Sequence, residues 1–81
     1  MNIFVARLNY DTQDDGLREA FEAYGDVDSA KVIFDRETGR SKGFGFVEMP
    51  DDDAARSAIQ ELDQTELDGR TIVVKEARPR T

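Results

Sequence analysis

Residues 42–47 read Lys-Gly-Phe-Gly-Phe-Val, a run that can do recognition chemistry without any catalytic group. Side chains alternate between the two faces of a strand. As a strand, the run puts Lys42, Phe44 and Phe46 on one face and Gly43, Gly45 and Val47 on the other. The first face is cationic and aromatic at a two-residue period. It suits a base stacked on each ring and a phosphate held by the lysine. The second face is nearly bare of side chains, so a helix can pack close against it. The opposite assignment, with both rings in the core, would leave two glycines facing water on a central strand, where they pack against nothing.

The rest of the composition narrows the chemistry. The chain has no cysteine and no histidine, so it has neither a disulfide, nor a thiolate metal site, nor the usual general base. The run Asp51–Asp53 is explained by helix capping and the helix dipole, not by a metal. Gly43-Phe44-Gly45 lies within a strand, and Glu48 stands where a dinucleotide-binding loop needs its third glycine. No carboxylate pair stands apart as an acid–base site. The expectation is a binding module, with no metal, no cofactor, no small-molecule substrate and no catalysis.

Eighty-one residues allow one small domain, expected over residues 1–78 with a short tail at 79–81. The formal net charge of −7 argues against coating nucleic acid by bulk electrostatics and makes the placement of each cation matter. No apolar run approaches the roughly 18 residues that span a bilayer. The opening residues lack a signal-peptide pattern, and a cytoplasmic setting is expected.

The elements that must position these residues follow from local pattern. Asn2–Leu8 alternates Ile3 and Val5 against Phe4 and Ala6, a strand that puts Phe4 on the outer face. Thr12 and Asp15 have capping-box spacing, Leu17, Ala20, Phe21 and Tyr24 form one apolar helical stripe, and Gly25 is the expected stop. Val27–Phe34 is a β-branched second strand; alternation puts Phe34 with the core, while its place at a strand end beside the loop points outward, and both readings stand. Asp35–Ser41 is a long polar hairpin loop leading to the third strand at Lys42–Met49. Pro50 ends that strand and Asp51 caps a second helix with Ala55, Ala58, Ile59 and Leu62 on its inner stripe. Leu67-Asp68-Gly69 marks a turn, and Thr71–Glu76 is the last strand, with Ile72 and Val74 inward and Val73 and Lys75 outward. The order β-α-β-β-α-β predicts an α+β, ferredoxin-like sandwich: a four-stranded antiparallel sheet with two helices on one face. Right-handed crossovers put the first and third strands together at its centre, so Phe4 falls beside Phe44 and Phe46.

With these motifs in place, residues 2–78 resemble the RNA-recognition motif family. Lys42–Met49 is similar to that family's longer octamer, and Ile3-Phe4-Val5-Ala6-Arg7-Leu8 to its shorter hexamer. Leu67-Asp68-Gly69-Arg70 before the last strand also matches. The short, single-domain bacterial members look nearest. The resemblance implies that Phe4 and Phe44 stack bases, that Phe46 lies against a sugar and that Lys42 meets a phosphate. It also implies that Lys31 and Ile33 line the sheet and that Lys75, Ala77 and Arg78 border the base pocket. In the long loop, Arg36 and Arg40 are candidates either for RNA clamping or for plain loop solubility. Four positions depart from the family pattern. Ala6-Arg7 replaces Gly-Asn, Met49 replaces a mostly buried aromatic, Gln64 stands where glycine is usual, and Gly16 weakens the first helix. None removes a ring. The expected partner is single-stranded RNA, with single-stranded DNA as the alternative polymer. The domain is expected to be monomeric, and the same aromatic face used for protein contacts or self-association is the competing reading.

Overall fold

A computed structural model describes residues 1–77 and contains the expected sandwich. Its elements are β1 (Asn2–Ala6), α1 (Asp14–Glu22), β2 (Ser29–Phe34), β3 (Ser41–Glu48), α2 (Asp52–Leu62), β4 (Glu66–Leu67), β5 (Arg70–Thr71) and β6 (Val73–Ala77). The main sheet has the order β2-β3-β1-β6, and every neighbouring pair is antiparallel. β1 and β3 are therefore central. The short hairpin β4–β5 forms a second sheet. Its two-residue turn, Asp68-Gly69, has positive φ at both positions (54° and 82°), the mirror-image turn that matches strand twist.

The core lies between the sheet and both helices. Ile3, Val5, Val47 and Val74 face it from the strands, Leu17 and Phe21 from α1, and Ala55 and Ala58 from α2. Met49, in place of the family's aromatic, is fully buried. Its N–H donates to the Met1 carbonyl and its own carbonyl accepts from the Met1 amino group. Asp51 caps α2 as expected, accepting from the N–H groups of Asp53 and Ala54.

Several local expectations were overturned. Thr12 does not cap α1. Gln13 occupies that position without a side-chain bond, while the buried Thr12 hydroxyl donates to Asp68 Oδ2 at 2.7 Å. Gly25 is not a left-handed stop, since α1 ends at Glu22 with Ala23 in a right-handed conformation. It allows close packing instead, because a Cβ there would sit 2.7 Å from Ala54 Cβ. Thr71 belongs to the hairpin, and the last strand starts at Val73. Phe34 is 40% exposed and not in the core. The β2–β3 ladder shifts register between Val32 and Phe34, and this breaks the alternation that pointed it inward.

Two carboxylates tie helix ends to the sheet. Asp14 Oδ1 accepts from Val32 N at 2.7 Å, where the ladder shifts register. Asp63 Oδ1 accepts from Val74 N on the edge strand β6 at 2.9 Å. Each gives a partner to a backbone donor that the ladder leaves free.

Candidate nucleic-acid interface

Strand register builds the open face residue by residue. Phe4 is opposite Phe46 on β3 and opposite Lys75 on β6. Lys31 on β2 is opposite Phe46. One row therefore crosses all four strands: Lys31, Phe46, Phe4, Lys75. The next row toward the start of β1 is Ser29, Glu48, Asn2, Ala77, and the row on the other side carries Phe44, Ala6 and Val73.

The three rings form a triangle. Phe4 lies 5.8 Å from Phe44 and 5.5 Å from Phe46, between centroids, with tilted planes. Phe44 and Phe46 are 6.3 Å apart and nearly perpendicular. Edge-to-face and tilted contacts are the arrangements that ring quadrupoles favour. Mutual packing leaves Phe4 and Phe44 half-buried, while Phe46 remains 41% exposed. The helices lie behind the other face. A Cβ on Gly45 would come within 3.1 Å of Leu17 Cδ2 from α1 and 2.5 Å of the Lys31 carbonyl. Glycine at 45 thus admits both the helix and the neighbouring strand, and the rings lie on the face away from the helix.

Lys31, Lys42 and Lys75 are exposed, and none takes part in an ion pair among the described residues. Ile33, half-buried, joins Lys31 and Phe46 along a shallow groove of about 430 Å³. Asn2, Ser29, Glu48 and Ala77 form its other rim. Asn2, Ser29 and Glu48 were not among the sequence candidates, although each is in phase with a residue that was. The groove is therefore mixed in charge, with the Glu48 carboxylate in the row next to the cationic and aromatic one.

Other candidates are placed differently. The ladder passes from Val32–Gly45 to Phe34–Ser41, so Lys42 and Gly43 lie in the irregular stretch between. Gly43 has φ 81°, and a Cβ there would meet Tyr10 and the Leu8 carbonyl, not a helix. It serves the bend, which corrects the expectation that both glycines make room for helices. Arg40 lies outside the groove, in a separate hollow with Tyr10, Asp11 and Ser41. Arg78 lies outside the described residues. Arg7 is exposed with φ 60°.

A family model for the RNA recognition motif matches residues 3–73. The chain belongs to the RNA recognition motif family. It is 54% identical over 78 residues to glycine-rich RNA-binding protein 2, mitochondrial, of Arabidopsis thaliana, covering 96% of this chain and 49% of that protein. A crystal structure of the RNA-binding protein PG1 is 54% identical, with a TM-score of 0.95 over 100% of this chain and 98% of that one. The sex-lethal protein in a protein–RNA complex is 29% identical, with a TM-score of 0.90 over 99% of this chain and 48% of that one. The chain thus spans about half the length of the curated relatives it matches. The likeness to short bacterial members draws no support from these plant proteins, nor does a cytoplasmic setting from a relative named mitochondrial. Among the described residues, no helix is long and apolar enough to cross a membrane.

Proposed function

We propose that this RNA recognition motif binds a short single strand of RNA across the open face of its sheet. Bases stack on Phe4 and Phe44, a sugar lies against Phe46, and Lys31, Lys42 and Lys75 meet phosphates. Ile33 and Ala77 form apolar walls beside the bases. The observation that carries this reading is the cross-strand row Lys31–Phe46–Phe4–Lys75, which aligns two rings between two exposed cations on the face the helices leave open. Relatives named as RNA-binding proteins, and a homologous domain solved in a protein–RNA complex, support the choice of polymer.

The mechanism is recognition without covalent chemistry. Each stacked base contributes about 1–3 kcal/mol by alanine substitution. Ordering a flexible strand offsets part of that, so two stacked bases give modest affinity. A face of this size takes about two to four nucleotides. Packing against a sugar also puts the protein near the 2′-hydroxyl, the group that separates RNA from DNA. The same reading has the domain acting as a monomer with its rings free. A dimer in sedimentation that hides them would count against it.

Amide shifts recorded during titration with a pool of short single-stranded RNAs test the proposal. Perturbations centred on Phe4, Phe44 and Phe46 are expected. A spectrum unchanged at millimolar RNA would refute it.

A further inference from the structure

Tyr10 is the most exposed large hydrophobic side chain described, at 62%. It is nonetheless held in place. Asn9 Nδ2 donates to the Asp68 carbonyl at 3.0 Å, and Thr12 Oγ1 donates to Asp68 Oδ2 at 2.7 Å. These bonds fasten the loop between β1 and α1 to the β4–β5 turn on either side of Tyr10. The Asn9 side chain also accepts from Asp11 N at 2.9 Å, which sets the turn itself. The same docking brings Arg70, at the start of β5, over the Tyr10 ring, with the guanidinium carbon 5.7 Å from the centroid. Arg40 from the β2–β3 loop lines the hollow beside the ring.

This cluster adjoins the sheet face. A Cβ on Gly43 would lie 3.5 Å from Tyr10 Cε1, so the ring rests beside the backbone one residue before Phe44. A strand that leaves Phe44 on the side away from Phe46 meets an aromatic ring and two guanidinium groups. An open ring face takes a base, and guanidinium forks take phosphate oxygens. In a chain of net charge −7, two arginines brought together beside an exposed ring at the end of a ring-bearing sheet are complementary to a polyanion. Asp11, in the same hollow, opposes them and sets a sign that an experiment can read.

We infer that Tyr10, Arg70 and Arg40 form a second, pre-organised single-strand contact that receives RNA running off the sheet past Phe44. This rests on the reading of the sheet as an RNA-binding face and extends it by one base and its flanking phosphates. The extension acts on oligonucleotides long enough to reach beyond the sheet and leaves the shortest ones unaffected.

Mixed-sequence single-stranded RNAs of three and eight nucleotides distinguish the two levels. Tyr10→Ala is expected to weaken binding of the octamer by about tenfold and to leave the trimer unchanged, while Tyr10→Phe retains octamer binding. Arg70→Ala should also weaken the octamer, and Asp11→Asn should tighten it. Melting curves for each variant separate loss of contact from loss of fold, and Tyr10→Phe and Asp11→Asn keep the shape of the site. If Tyr10→Ala and Asp11→Asn leave octamer binding unchanged while the trimer still shifts Phe4, Phe44 and Phe46, the extension is overturned and the sheet reading stands. If neither oligonucleotide perturbs the wild-type sheet, both are overturned.

Discussion

Phe44 and Phe21 are both phenylalanines in a small core-and-sheet domain, yet their environments differ. Phe21 is fully buried, whereas Phe44 is half-buried against two other rings. Phe21→Ala should cost about 3–5 kcal/mol of stability, as large-to-small changes in cores do. Phe44→Ala should cost much less stability and about 1–3 kcal/mol of RNA binding. Paired denaturation and titration of the two variants check this, and equal losses of stability would place Phe44 in the core. Gln64 gives an opposite kind of prediction. Its φ of 65° is left-handed, a region that costs a residue with a side chain about 1–2 kcal/mol. Gln64→Gly relieves that strain and returns some unfolded-state entropy, so a net gain of about 0.5–1 kcal/mol is expected in chemical denaturation. Destabilisation would show that the Gln64 side chain contributes more than its backbone costs. Arg7, at φ 60°, explains in the same way why a residue such as asparagine suits that position.

At the scale of elements, the joints between helix and sheet carry the fold's specificity. Asp14→Leu removes the acceptor for Val32 N–H at the register shift and should cost about 1–3 kcal/mol, with Asp14→Asn losing less. Hydrogen exchange at Val32 reads the joint directly: faster exchange is expected, and unchanged protection would sink the assignment. These joints also mark where the sequence stopped being legible. Element order, the central strand pair and the outward phase of Phe4, Phe44 and Phe46 were all readable, because period-two alternation survives wherever the ladder is regular. Phe34 was undecided from pattern alone, because the register shift that breaks the alternation there depends on the pairing partner. Thr12 fitted a capping pattern equally well, but its hydroxyl was taken by Asp68, 56 residues away. Gly25 looked like a stop because helix ends favour glycine, and only the approach of Ala54 reveals its packing role. The exposed, fastened position of Tyr10 was invisible because a loop has no period from which a direction can be read.

For the whole molecule, charge count and charge placement separate. Acidic residues open both helices, with Asp14 and Asp15 in the first turn of α1 and Asp52 and Asp53 in that of α2. The sheet row instead ends on Lys31 and Lys75. Binding should therefore depend only mildly on salt. Three phosphate contacts on a single strand give a slope of log K against log salt of about 2 in magnitude. Titrations of a short oligonucleotide from low to moderate salt measure it, and a much steeper slope would mean a wider electrostatic footprint than the sheet provides. The cross-strand row has one more consequence. Read from either edge it runs cation, ring, ring, cation, a near-palindrome. A strand laid along it meets the same chemistry whichever way its sugars point, so the row grips without sensing 5′ from 3′. Polarity has to come from the rows above and below, where Glu48 and Asn2 stand at one end of the sheet and Phe44 at the other.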